Sequence, residues 1–289
     1  MKWRVVWNGL LLTSQKACFY HHQRSSSPQP RWMGRKNQAQ EESSSPAVSE
    51  IKLFGNQKLY TQYLKNDSIP LVVCTGAAGT GKTMLACKEA VRQLEDPGST
   101  IDKIIITRPT VMADDELGFL PGEIESKMQP WTRPLFDYLY EFSSRNKVQA
   151  WLKNGELEIL PLGYMRGRTF KRSFIIGDEC QNIQISSMLM LLTRIGDDSK
   201  MVIVGDPEQS DLFQRTKSSH NGLEDFIQRM EVAAKDKHKQ TEENDITPIN
   251  IPIPTPTNES MIYNGIARVH LGSNCIRRHP IITHILEMY

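Results

Sequence analysis

The stretch Leu71-Val-Val-Cys-Thr-Gly-Ala-Ala-Gly-Thr-Gly-Lys-Thr83 decides how this chain is expected to fold. It begins as a short apolar run rich in β-branched residues and ends in the pattern Gly-x-x-x-x-Gly-Lys-Thr. The residues that follow, Met84–Leu94, contain no Gly or Pro and predict a helix. A strand, a glycine-rich loop and a helix in this order predict a cradle in which backbone N–H groups surround one phosphate.

The residue types of this loop each suit a phosphate cradle. The three glycines permit the backbone conformations of the turn, and the next helix adds its positive N-terminal end. Lys82 is expected to reach the β- and γ-phosphates, and the Thr83 hydroxyl to bind Mg²⁺. The sequence therefore predicts a nucleoside triphosphate site formed by Gly76, Ala77, Ala78, Gly79, Thr80, Gly81, Lys82 and Thr83.

Two later apolar runs end in acids and add to this interpretation. Ser173-Phe-Ile-Ile-Gly-Asp178-Glu179 predicts a strand whose Asp178 holds Mg²⁺ through water and whose Glu179 polarises the attacking water. Strings of this kind are common, and this one is informative because it lies downstream of a phosphate loop. A further strand leads to Asp206, and Gln209 just beyond it is either a sensor of the γ-phosphate or a plain turn residue.

Length and composition favour an ordinary globular protein. The 289 residues allow one large domain or two small ones, and the formal net charge of +2 does not by itself indicate a nucleic-acid partner. The five cysteines are scattered without a C-x-x-C pair, which favours reduced thiols over a zinc site. No apolar run is long enough to span a bilayer, so no membrane association is expected.

Residues 1–50 differ in composition from the remainder. Basic and Ser/Pro-rich sequence precedes the first acid, Glu41, which is typical of a transit peptide to a mitochondrion or plastid. An ordinary disordered tail, and hence a cytoplasmic protein, is the alternative. Residues 51–289 are expected to form the folded domain, interrupted at about 232–260 by a charged and Pro-rich segment that predicts a mobile surface insertion.

Three other features admit two interpretations each. Gln57, on a predicted helix before the phosphate loop, either contacts the adenine edge or is a solvated helix residue. The aromatic residues of the predicted helix 130–142 are more typical of a core than of a base-stacking platform. The segment 163–172 is the densest basic cluster of the folded part, and either grips nucleic-acid phosphates or forms a solvated loop; its candidate residues are Tyr164, Arg166, Arg168, Lys171 and Arg172.

Taken together, the motifs resemble those of the PhoH family of P-loop ATPases. The most specific strings are Leu117-Gly-Phe-Leu-Pro-Gly122 and Tyr164-Met-Arg-Gly-Arg-Thr169, and they stand in the family's order among the loop, the paired acids and Gly205-Asp-Pro-Glu-Gln209. The chain departs from the family's usual pattern at Gly177, where Leu is common, and at Cys180, where Ala is common.

The resemblance implies a fold and a set of roles. The fold is an α/β, RecA-like P-loop NTPase, a three-layer sandwich with a mostly parallel sheet, related to the first motor domain of superfamily-1 helicases. Lys82, Thr83, Asp178 and Glu179 keep the roles given above, with ATP and Mg²⁺ as cofactors. Gln181, Asp206 and Gln209 become either couplers to nucleic acid or sensors of the γ-phosphate, and Arg278 becomes a candidate arginine finger.

The resemblance also implies an activity and partners. We expect an ATPase that remodels or unwinds RNA, beside a separate nuclease. Two-lobed helicases close the ATP site with an arginine from a second RecA-like lobe, and this chain has room for only one such lobe. We therefore expect a neighbouring subunit of a ring-like homo-oligomer to supply Arg278 in trans. A nucleotide-gated assembly switch with slow turnover is the alternative. A small-molecule kinase has less support, because the sequence shows no lid or acceptor site.

Overall fold

A computed structural model describes residues 51–109, 124–210, 221–243 and 260–276. The predicted transit peptide, the Leu117–Gly122 string and Arg278 lie outside these ranges. So does most of the predicted insertion.

Seven strands form one sheet in the order β3-β2-β4-β5-β1-β7-β6. All neighbouring strands run parallel except β6, which pairs antiparallel with β7 at one edge. The strands are β1 Leu71–Gly76, β2 Lys103–Arg108, β3 Leu157–Pro161, β4 Ser173–Gly177, β5 Lys200–Gly205, β6 Ser260–Tyr263 and β7 Ile266–Leu271.

Helices cover both faces of the sheet. They are α1 Gln57–Lys65, α2 Lys82–Glu95, α3 Ile124–Phe142, α4 Arg145–Asn154, α5 Ile185–Leu192 and α6 Gly222–Glu243. The first four pack on one face and the last two on the other, so the core has two layers. This architecture confirms the predicted α/β, RecA-like three-layer fold.

The alternation of side chains along the central strands explains why both faces are covered. Val72 and Cys74 of β1 belong to the core beneath α1 to α4, whereas Val73 between them belongs to the core beneath α5 and α6. Successive residues of a strand point to opposite faces. A run of apolar residues without polar alternation therefore requires a cover on each side, as parallel sheets have.

Two boundaries differ from the sequence-based expectation. The segment that was predicted to be a mobile insertion from residue 232 begins as helix, because α6 continues to Glu243. Its residues 232–243 contain no Gly or Pro and are rich in Ala, Lys, Glu and Gln, which favour helix. The segment Gln181–Leu192 has a stripe of Met and Leu that predicts one helix, but the structure divides it: a 3₁₀ turn at Cys180–Asn182 precedes α5.

Candidate functional site

The loop between β1 and α2 has the geometry that its glycines predicted. Gly76, Gly79 and Gly81 have φ angles of +144°, +85° and +87°, values that L-residues rarely adopt. At Gly76 the constraint is also steric, because a Cβ atom there would lie 2.3 Å from the carbonyl oxygen of Leu271 on β7. The loop can therefore turn sharply between two packed strands and direct the N-terminus of α2 into the site.

The Lys82 side chain folds back over this loop. Its Nζ donates hydrogen bonds to the carbonyl oxygens of Gly76 and, at 3.0 Å, of Ala77. The loop is closed further by Thr80, whose hydroxyl donates to the Ala77 carbonyl at 2.8 Å. Burial lowers the pKa of Lys82, while nearby groups that include Asp206 and Glu179 oppose that shift. The ammonium is thus held at the mouth of the loop, where an incoming phosphate would meet it.

Thr83 and Asp178 meet although they are far apart in the sequence. The Thr83 hydroxyl donates a hydrogen bond of 2.7 Å to Oδ1 of Asp178, which follows β4. The Asp178 carboxyl is buried, and burial raises its pKa against the opposing effect of this hydrogen bond. A hydroxyl and a carboxylate side by side are hard oxygen ligands of the kind Mg²⁺ prefers beside nucleotide phosphates, so the donor set fits this ion.

Glu179 follows in an unusual backbone conformation. Its φ angle of +53° is left-handed, which is uncommon for a residue other than Gly and is often found at functional sites. One carboxylate oxygen accepts a hydrogen bond of 2.6 Å from Nε2 of Gln181. Oε1 of Gln181 in turn accepts from the backbone N–H of Asp206 at 3.1 Å. Gln181 therefore links the ends of β4 and β5.

A cavity of about 360 Å³ opens at the carboxyl edge of the central strands. Ligands of open α/β sheets usually bind at this edge. The cavity brings together most of the predicted nucleotide-site residues, namely Ala78, Gly79, Gly81, Lys82, Thr83, Asp178, Glu179, Asp206 and Gln209.

Four cavity residues, Gly205 among them, were not predicted as site residues. Ile51, Met84 and the half-buried Tyr138 of α3 add apolar and aromatic surface to a cavity that is otherwise polar. The aromatic residues of α3 had been interpreted mainly as core. Leu135 and Leu139 are buried in the core, and the partly buried Tyr138 both packs against that core and reaches the cavity. The sequence does not show which aromatic residue of the helix lies at the cavity, because this depends on how α3 packs against α2 and the sheet.

Gln57 lines the cavity and is buried, so it is not a solvated helix residue. Its Nε2 donates to the carbonyl oxygens of Thr80 at 2.9 Å and Cys275 at 3.2 Å. Its Oε1 accepts from the backbone N–H of Phe54 at 3.0 Å. The structure thus gives the amide three main-chain contacts, one of them to the phosphate loop.

The basic cluster is divided by the fold. Tyr164 and Arg166 are exposed just beyond the carboxyl end of β3, at the edge that holds the cavity. Lys171 and Arg172 lie at the opposite edge, before β4, where they pair with Asp197 and Asp102 at 2.7 Å each. The residues of this cluster therefore do not form one continuous surface for nucleic-acid phosphates.

Arg168 lies between these two groups. Its guanidinium pairs with Glu158 of β3 at 2.8 Å and stacks on the ring of Phe170 at 4.5 Å from the centroid. Burial tends to raise the pKa of Glu158. Hydrogen bonds from Lys103 and Arg168 outweigh this effect and hold the pKa below its usual value. The Arg168 guanidinium is thus engaged by Glu158 and Phe170, whereas Tyr164 and Arg166 are exposed at the edge of the sheet that holds the cavity.

The two departures from the family's pattern lie against each other. A Cβ atom at Gly177 would be 3.0 Å from Sγ of Cys180, and also within 3.2 Å of side-chain atoms of Ile203 and Leu191. The space that a larger residue would need at position 177 is thus occupied in part by the Cys180 thiol. This contact gives a steric reason for both departures to occur together.

The loop, the adjacent lysine and threonine, and the acid at the end of a neighbouring strand define a class of protein. With the parallel sheet and its helices, they identify a P-loop nucleotide-binding protein with a RecA-like fold.

Comparisons with known proteins lead to one family. A family model described as PhoH-like protein matches residues 52–249. A PhoH-like protein of Synechocystis is 36% identical over 242 residues, which is 84% of this chain and 62% of the relative. A PhoH-like protein of Bacillus subtilis is 36% identical over 239 residues, 83% of this chain and 63% of the relative. Protein PhoH of Escherichia coli is 40% identical over 182 residues, 62% of this chain and 50% of the relative.

The chain therefore belongs to the family of PhoH-like proteins, as the motifs had predicted. It spans less than two thirds of the length of each of these relatives. Within the described part of the chain, no helix has both the length and the apolar character needed to cross a membrane.

Proposed function

We propose that this protein binds ATP with Mg²⁺ and hydrolyses it, and that single-stranded RNA stimulates the reaction. The observation that carries the proposal is the 2.7 Å hydrogen bond between Thr83 and Asp178, beside Lys82 and Glu179 in one cavity. Chemistry of this kind needs ligands for a metal–triphosphate complex and a base beside the γ-phosphate, and the residues that line the cavity include groups suited to each role.

The residues take separate roles in the proposed reaction. The amides of the loop and Lys82 bind the phosphates, and Thr83 and Asp178 hold Mg²⁺. When bound with the nucleotide, Mg²⁺ neutralises charge that develops on the phosphates. Glu179 accepts a proton from the attacking water, and Gln209 contacts that water or the γ-phosphate. Tyr138 and Met84 supply apolar surface for the base.

RNA coupling is supported by the exposed residues near the cavity. The Tyr164 side chain is 55% exposed, and a tyrosine of this kind provides a face on which a base can stack. Arg166 is exposed two residues further on and provides a cation for a phosphate.

The experiment measures ATP binding by calorimetry and hydrolysis with and without an oligo(U) strand. Lys82→Ala is expected to weaken binding of Mg²⁺–ATP strongly. Glu179→Gln is expected to bind ATP but to hydrolyse it about 10²- to 10⁴-fold more slowly, the usual effect of losing a general base. Wild-type protein that shows no affinity for Mg²⁺–ATP would refute the proposal.

A matched pair of double variants tests the RNA site. Tyr164→Ala/Arg166→Ala removes the group at the cavity edge, and Lys171→Ala/Arg172→Ala removes two cations from the opposite edge. We expect RNA stimulation to be lost in the first pair and retained in the second. Equal loss in both would favour non-specific attraction between RNA and positive charge.

A second function, a nucleotide-gated assembly switch with slow turnover, is favoured by one contact. Arg108 pairs with Glu179 at 2.8 Å and so engages the proposed base. Slow hydrolysis that RNA does not change would support this alternative over RNA-coupled hydrolysis.

Further parts of the proposal concern partners and location. Arg278 acts as an arginine finger on a neighbouring subunit of a ring, and a separate nuclease works beside it. The basic and Ser-rich residues 1–50 direct the protein to a mitochondrion or plastid. Microscopy of residues 1–50 fused to a fluorescent protein tests this location, and diffuse cytoplasmic fluorescence would contradict it.

A further inference from the structure

Arg108 ends β2 and lies beside the paired acids of β4. Its Nη2 is 2.8 Å from Oε1 of Glu179, and its Nε is 3.8 Å from Oδ2 of Asp178. The side chain of Arg108 is 27% exposed and that of Glu179 is 41% exposed, so solvent and a ligand can reach the pair. This contact joins the carboxylate that would activate water to a cation at the rim of the cavity.

Both oxygens of the Glu179 carboxylate are engaged. Arg108 contacts one oxygen, and Nε2 of Gln181 donates to the other at 2.6 Å. Charge-assisted hydrogen bonds of this kind are directional and stronger than neutral ones. The carboxylate is thus oriented towards protein donors. The positive charge of Arg108 also stabilises the ionised form of Glu179 and so makes it a weaker base towards an attacking water.

The sheet places Arg108 beside the exposed residues that follow β3. In the pairing of β2 with β3, Arg108 is opposite Pro161, the residue before the 3₁₀ turn Leu162–Met165 that carries Tyr164. A nucleic-acid strand that stacks on Tyr164 and pairs with Arg166 therefore runs along the same edge as Arg108. Its phosphates become competitors of Glu179 for the Arg108 guanidinium.

We propose that Arg108 is a latch on Glu179, and that a phosphodiester of single-stranded RNA opens it by taking over the guanidinium. An arginine fork suits this exchange because it fits a phosphate as well as a carboxylate. Arg108 acts through Glu179 and is a positioning residue. The proposal rests on the proposed function, since Glu179 is there the base that activates water.

The first experiment measures RNA affinity without nucleotide, so it does not depend on hydrolysis. Fluorescence anisotropy with labelled oligo(U) compares wild type, Glu179→Gln, Arg108→Gln and the double variant. Glu179→Gln removes the competing charge and is expected to lower Kd about two- to fivefold, the range of a partly exposed ion pair. Arg108→Gln is expected to raise Kd, and adding Glu179→Gln to it is expected to change nothing further.

Two controls test whether the changes in RNA affinity are specific to the Arg108–Glu179 pair. Arg229→Gln removes an arginine that pairs with Asp225 on the exposed side of α6, and it is expected to leave Kd unchanged. Oligo(dU) tests whether any single-stranded phosphodiester opens the latch or only RNA does so. An equal effect of Glu179→Gln in the presence and absence of Arg108 would overturn the proposal, as would unchanged RNA affinity in Arg108→Gln.

The second experiment measures ATP turnover. Arg108→Gln is expected to raise kcat without RNA, to leave KM for ATP unchanged and to reduce the stimulation by oligo(U). Arg108→Lys keeps the charge and is expected to restore most of the dependence on RNA. A fall in the RNA-free kcat of a folded Arg108→Gln variant, checked by thermal melting, would refute the latch.

The two experiments separate the latch from the function on which it rests. Absence of ATP hydrolysis in every variant, with the expected coupling in RNA binding, would refute the proposed ATPase and retain an Arg108–Glu179 exchange. Normal RNA-stimulated hydrolysis without coupling between the two residues would retain the ATPase and refute the latch.

Discussion

The amide of Gln57 shows how one buried side chain can position a binding loop from a distance. It contacts Thr80 in the phosphate loop and Cys275 near the end of the described chain, partners that are 23 and 218 residues away in the sequence. Because both amide hydrogens are used, the side chain holds two main-chain segments together at the wall of the cavity. Its effect on nucleotide binding should then be independent of the base.

We expect Gln57→Ala to weaken the binding of ATP and GTP by the same factor. The substitution leaves two buried carbonyl oxygens without a donor and loosens the loop, which we estimate to lower affinity about tenfold. Calorimetry with both nucleotides checks this. Gln149→Ala, which removes an exposed glutamine that donates to Tyr140, is the matched control and should change neither affinity. A loss for ATP alone would instead assign Gln57 to base recognition.

At the scale of elements, Lys200 attaches the end of α1 to the central sheet. Lys200 begins β5, and its buried Nζ donates to the carbonyl oxygens of Tyr63, Asn66 and Ile69 at 3.2, 2.7 and 2.9 Å. These carbonyls lie at the last turn of α1 and in the loop that follows it, where the regular hydrogen bonds of the helix end and Lys200 adds to the backbone donors Asn66 and Ile69. Burial lowers the pKa of Lys200 from its usual 10.5 to about 8.

This lowered pKa makes the stability of the protein depend on pH. Between pH 8 and 10.5 the unfolded chain holds a proton on Lys200 that the folded protein has released, so the free energy of unfolding should rise with pH in this window. The full shift corresponds to about 3 kcal/mol. Urea unfolding of wild type and Lys200→Met across this window isolates the effect, since the difference between them should grow with pH.

The control for Lys200 lies on α1, the helix whose end Lys200 contacts. Lys65→Met removes an exposed lysine from the last turn of α1 and should change the free energy of unfolding by less than about 0.5 kcal/mol at pH 7. A difference between wild type and Lys200→Met that stays constant from pH 8 to 10.5 would show that the three carbonyls keep the ammonium charged.

At the scale of the whole molecule, the proposed mechanism adds an arginine from a second subunit to the cavity. Lys82, Glu179 and Gln209 all line the cavity, but Arg278 lies outside the described residues. The proposed ring places Arg278 of one subunit at the cavity of the next. Subunits with complementary defects should then be able to form competent sites between them.

We expect Lys82→Ala and Arg278→Ala each to be inactive alone and to recover activity when mixed. Loss of an arginine finger is worth about 10³–10⁵ in rate, so recovery is readily measured. In an equal random mixture roughly one site in four combines an intact Lys82 with an intact Arg278 from its neighbour, if the ring is a head-to-tail assembly. Gel filtration with ATP measures the assembly itself. A mixture as inactive as its parents would place Arg278 in cis.

The local sequence was sufficient to predict much of the fold. Apolar runs rich in β-branched residues predicted β1, β4 and β5, and the loop glycines predicted the positive φ angles that the structure contains. Such features depend on residues that are neighbours in the chain. The antiparallel edge strand β6 was not predicted, because pairing across a sheet leaves little trace in four residues.

What the sequence by itself determined was the class of the protein and the residues that approach phosphate, since steric and hydrogen-bonding preferences of a glycine loop are local. Only the tertiary structure decided that Arg108 contacts Glu179, that Gln57 contacts the backbone, and that the basic cluster is divided between two edges. These contacts follow from the strand order β3-β2-β4-β5-β1, which brings together residues far apart in the chain. Strand order is set by packing of the whole domain, so no single segment encodes it.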